Sequence, residues 1–96
     1  MSLITERTPD GDYRVRETDR DHPDCGLIGF VARRGSLWRI ARLDSRHMDG
    51  RCRYHSPAHD GGRIVAENPD RVLDDVRATA YPTRRAAVEA LAAELP

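Results

Sequence analysis

Apolar and polar positions repeat along this chain with two different periods, and the change of period divides it. Near the C-terminal end Val88, Leu91, Ala92 and Leu95 recur at i, i+3, i+4 and i+7, with Ala87 and Ala90 widening the stripe. That spacing predicts an amphipathic helix. Alanine, leucine, glutamate and arginine, all strong helix formers, dominate the segment after Thr83. Thr83 follows Pro82 and is placed to cap the first turn. A helix this short is marginal alone in water, so its stripe predicts a docking surface upstream.

Upstream the period is two. Leu27 to Arg34 and Leu37 to Leu43 are apolar-rich runs joined at Gly35-Ser36, and glycine at the first central position suits a type II′ hairpin. In that register Ile28 faces Leu43, Phe30 faces Ala41 and Ala32 faces Arg39 on one side. On the other side Val31 faces Ile40, Arg33 faces Trp38 and Gly29 faces Arg42. The first side is the more apolar, so the helix is expected against Ile28 and Phe30, leaving the Trp38 side open. Asp49-Gly50 signals a second hairpin, from a strand ending at residue 46 into one at 51–55.

The remaining elements are shorter. Tyr13-Arg14-Val15-Arg16 alternates, predicting an edge strand over 12–18. Arg63-Ile64-Val65-Ala66, with its β-branched pair, predicts another strand. Asn68-Pro69-Asp70 reads as an N-cap with proline at N1, opening a short helix over 69–76 that Val72, Leu73 and Val76 would line. An extended path through Ala80 is the competing reading, since Val76, Ala78 and Ala80 also alternate. Residues 1–11 show no period and end in Pro9-Asp10-Gly11, predicting a loose start. Residues 19–24 and 56–62 read as loops. The expected architecture is a single α+β domain over residues 12–96, an antiparallel sheet of three to five strands with the C-terminal helix packed on one face.

Composition narrows the function. Ninety-six residues allow one modest core. No apolar run reaches membrane-spanning length, and the N-terminal stretch lacks the apolar middle of a signal peptide. Two cysteines, Cys25 and Cys52, are too few for a secreted disulfide framework. A soluble cytoplasmic protein without a membrane partner is the expectation. Net charge is zero, against indiscriminate nucleic-acid binding. Residues 25–53 nevertheless hold seven arginines against two aspartates, while both flanks are acidic. Arg84 and Arg85 open the C-terminal helix, opposite to what the helix dipole favours. They mark either an exposed first turn or an anion site such as a phosphate.

Candidate chemistry is sparse. Cys52, His55 and His59, with His47, Asp60 and more distant Cys25 in reserve, offer zinc-type donors without a Cys-x-x-Cys knuckle. The same cysteine and histidines with Asp60 contain the parts of a cysteine triad, but not the rigid scaffold such triads need. Gly61-Gly62 lacks the spacing and lysine of a nucleotide loop, and no cofactor or small-molecule substrate is implied. That leaves the sheet face bearing Arg33, Trp38 and Arg42, extended by Arg51 and Arg53. It could be a solvated surface, a protein contact built on tryptophan and arginine, or a sheet that reads nucleic acid.

The succession Gly35-Ser36-Leu37-Trp38-Arg39, then Tyr81-Pro82-Thr83-Arg84-Arg85-Ala86-Ala87-Val88-Glu89-Ala90-Leu91 opening a helix, resembles the arm-type DNA-binding domain of tyrosine integrases. Small actinobacterial proteins also end in a similar helix. The resemblance implies a three-stranded sheet packed on the C-terminal helix, with Arg33, Trp38 and Arg42 on a DNA-reading face. The expected function is therefore a non-enzymatic, macromolecule-binding accessory or regulatory protein using an arginine-rich sheet face. A protein partner, including a second copy, is somewhat favoured over nucleic acid. The alternative is a small domain holding zinc with Cys52, His55 and His59.

Overall fold

The computed structural model describes residues 3–17, 27–46 and 52–93. The hairpin at its centre pairs β3 (Leu27–Arg34) with β4 (Leu37–Arg46). The partners Phe30↔Ala41, Ala32↔Arg39, Val31↔Ile40, Arg33↔Trp38 and Gly29↔Arg42 are those the alternation predicts. Gly35 turns the corner at φ +68°, a left-handed conformation that glycine adopts without steric cost. The sheet then grows outward in chain order on both sides. β1 (Leu3–Arg7) and β2 (Tyr13–Glu17) lie beyond β3, and β5 (Cys52–Pro57) and β6 (Arg63–Ala66) lie beyond β4. All neighbours are antiparallel, so the described residues form one six-stranded meander, wider than the expected three to five strands.

Three sequence expectations are corrected toward the edges. Residues 3–7, expected to be loose, pair fully with β2, because β2 would otherwise leave its outer ladder unpaired. β2 is consequently interior, not an edge. β5 also runs on to Pro57, shortening the expected 56–62 loop. The predicted loop at 19–24 and the Asp49-Gly50 turn lie outside the described residues.

Both sheet faces are covered, each by a different helix. α1 (Pro69–Leu73) is shorter than its predicted span. The Asn68 side chain accepts the Asp70 N–H at 2.9 Å, and Pro69 fills the first turn, as the sequence indicates. Past Asp74 the chain leaves the helix, since Arg39 of β4 donates to the Leu73 and Asp75 carbonyls (3.2 and 2.9 Å). Val72 and Leu73 are buried against Ala32, Ala41, Tyr54 and Ile64, with Phe30 half-buried alongside.

α2 (Arg84–Ala93) docks on the opposite side from the one expected. Ala87 and Leu91 bury against Val15, Val31 and Ile40, and Trp38 packs at the margin of that cluster. The physical reason is size. The Phe30 side carries the small Ala32 and Ala41 and takes the bulkier Val72 and Leu73. The Val31 side carries branched side chains, onto which an alanine-rich helix fits closely. Ile28 joins the α2 side through a bulge. Val15 pairs with Gly29 but Arg16 with Leu27, leaving Ile28 unmatched and turned out of strict alternation.

The passage from one face to the other is made by residues 77–81. Its Arg77 carbonyl accepts the His59 N–H, and the Thr79 N–H donates to the Pro57 carbonyl, at 2.9 Å each. Tyr81 and Trp38 then exchange both backbone hydrogen bonds at 2.7 and 2.8 Å. The segment thus fills the gap where β4 and β5 part, and it delivers the chain to α2. Among the described residues no helix is long and apolar enough to cross a membrane.

Candidate functional site

A cleft of about 710 Å³ opens where the end of β1, the β3–β4 hairpin and the first turn of α2 meet. Its floor is aromatic. Tyr13 of β2 and Trp38 of β4 meet across β3 on one sheet face, with ring centroids 5.9 Å apart and planes tilted by 50°. The guanidinium of Arg84 sits over the Tyr13 ring, 4.6 Å from its centroid. A cation over a phenol face is held by the ring quadrupole, at about 0.5–1 kcal/mol where solvent reaches it. Thr83 caps the helix that carries Arg84, accepting the Ala86 N–H at 3.0 Å.

Three more arginines line the walls. Arg7 stands opposite Tyr13 in the β1–β2 register and shares its face. Arg33 reaches from β3 and, among the described residues, donates to the Gly35 carbonyl alone, at 3.1 Å. Arg85 pairs with Glu89 one helical turn on, at 3.3 Å. Arg7, Arg33 and Arg84 have no carboxylate partner among the described residues. Elsewhere arginines are spent on structure. Arg34 joins Asp12 (3.0 Å) to Asp74 (2.5 Å), and these contacts raise its pKa. Arg16 binds Glu6 at 2.6 Å, holding the Glu6 carboxyl below its usual pKa.

The sequence-predicted binding set is divided by this geometry. Arg33 and Trp38 reach the cleft. Trp38 is half-buried, with Tyr81 bonded along its backbone edge, so it is not the free aromatic on an open sheet that the pattern suggested. Arg42 shares the face but lies toward the far end of α2, donating to the Leu91 carbonyl at 2.9 Å. Arg53 is exposed on β5, paired with Ser45 and away from the hairpin turn. Arg51 lies outside the described residues. The residues that sequence reasoning did not assemble are Arg7, Tyr13 and Arg84. One signal pointed to them, the pair of arginines set against the dipole at the start of α2.

Only part of the metal-type donor set falls within the described residues. Among the described residues no group of three or more His, Cys, Asp or Glu is placed to hold an ion. His55 is buried with Nε2 3.7 Å from Asp44 Oδ1, and His59 Nδ1 lies 2.8 Å from the Arg77 carbonyl. Cys25, His47 and the Cys52 side chain lie outside the described residues. Compared with known proteins, the chain matches no family model, no curated protein and no solved structure.

Proposed function

We propose that this chain is a non-enzymatic binding module that holds single-stranded nucleic acid by its phosphates in the Tyr13/Trp38 cleft. The observation that carries the reading is the convergence of Arg7, Arg33 and Arg84, from three separate elements, with no described carboxylate paired to any of them, since Glu89 of the same cleft is held by Arg85. Arginine's planar fork suits phosphate oxygens, and an uncompensated cluster is the costly arrangement unless an anion arrives. The partly covered Trp38 takes away the exposed aromatic anchor on which a protein contact would have been built. Because Arg84 already occupies the Tyr13 face, the rings position a guanidinium more than they offer a stacking platform. Recognition should accordingly be indifferent to base identity.

Fluorescence anisotropy with labelled oligonucleotides tests this. Three phosphate contacts predict a slope of about −2 in log K against log salt, from ~0.7 counterions per contact on single strands. Failure to retain any DNA or RNA strand at about 50 mM salt removes the reading. Capture of acidic peptides in place of strands would move the partner to protein.

A further inference from the structure

Resting on that reading, we infer that the cleft takes the end of a strand, a terminal phosphate monoester, in preference to an internal stretch of backbone. The argument is one of charge and shape. A cavity of about 710 Å³ falls in the range that holds one compact ligand, ~300–1,000 Å³, which for a nucleic acid is about one or two nucleotides. An internal diester brings one negative charge per nucleotide, so two of them leave three unpaired arginines under-neutralised. A terminal monoester carries about −1.5 to −2 near neutrality. With the next diester it supplies close to three charges, matching Arg7, Arg33 and Arg84.

The arrangement points the same way. Surfaces that track a strand set their cations along a groove. Here β1 and β3 each send one arginine, and α2 sends Arg84 beside the Glu89-paired Arg85, toward a common space above the Tyr13/Trp38 pair. Glu89, held by Arg85, and Val88 line the same space on the α2 side. A point of concentrated charge with three free oxygens fits a convergent set of guanidinium forks, each able to bind two oxygens. Both the 5′ and 3′ ends of a strand present this chemistry.

The experiment compares four oligonucleotides of one sequence: 5′-phosphorylated, 3′-phosphorylated, hydroxyl at both ends, and circular. The expected result is about tenfold tighter binding of one phosphorylated end than of the hydroxyl-ended strand, the effect of one to three added charge-assisted bonds. The preference should fall to within about twofold in the Arg33→Gln, Arg84→Gln double variant. The Arg33→Gln variant alone, at an exposed position whose side chain donates to the Gly35 carbonyl, provides the comparison should the double variant fold poorly. Equal binding of phosphorylated, hydroxyl-ended and circular strands overturns end recognition while leaving single-strand binding in place. A preference that survives in both variants overturns it as well. Absence of binding to all four removes the underlying reading too.

Discussion

Arg33 and Arg42 share one sheet face yet serve opposite ends of α2. Arg42 donates to Leu91, one of the last carbonyls of the helix, where a cation also complements the dipole. Arg42→Ala should lower stability by about 1–2 kcal/mol in urea unfolding and leave strand binding unchanged. Arg33→Ala should do the reverse, with stability within about 0.5 kcal/mol of the parent and a salt slope shallower by ~0.7. Gly29 is constrained by proximity. A Cβ there would press into the Ala41 carbonyl oxygen and lie 2.9 Å from Arg42 Cα. Gly29→Ala should therefore cost about 1–3 kcal/mol, as overpacking against backbone does, read as a lower melting temperature. Asp75 gives a pH signature, because bonds from the Arg77 side chain and backbone hold its pKa at about 2, below the ordinary 3.8. A carboxyl depressed on folding stabilises above its unfolded value, and that contribution disappears as pH falls from 3.8 toward about 2. Asp75→Asn should flatten the acid limb of a stability–pH profile in that window alone.

At the scale of elements, α2 depends on what it covers. Leu91 is fully buried in the Val15/Val31/Ile40 cluster, so Leu91→Ala should cost about 2–5 kcal/mol in denaturant unfolding. The periodicity of α2 and the register of the hairpin are legible in the sequence because both follow from local alternation. The face on which α2 docks is not. That choice rests on the contrast between Ala32/Ala41 and Val31/Ile40, and on a bulge that moves Ile28 from one side to the other. β1 is illegible for a related reason. Leu3 to Arg7 carries no period of its own and becomes a strand because β2 offers it a ladder. Arg33 and Trp38 could be placed together from the hairpin alone, whereas Arg7, Tyr13 and Arg84 meet them only after β1 has been added and α2 has taken the Trp38 side.

For the whole molecule, zero net charge conceals a division of labour. Arginines such as Arg34, Arg39 and Arg42 tie helices to the sheet, while Arg7, Arg33 and Arg84 at the cleft pair with no carboxylate among the described residues. Binding should thus weaken with salt far more steeply than folding does. The segment 77–81 has a consequence of a different kind. It is stitched between β4 and β5 like a wedge in a split board, holding both with its own hydrogen bonds. A chain stopped at residue 76 would have every strand and still lack the filler at that seam. Truncation at residue 76 should therefore leave a sheet that a protease cleaves faster than the full chain, as limited proteolysis would read.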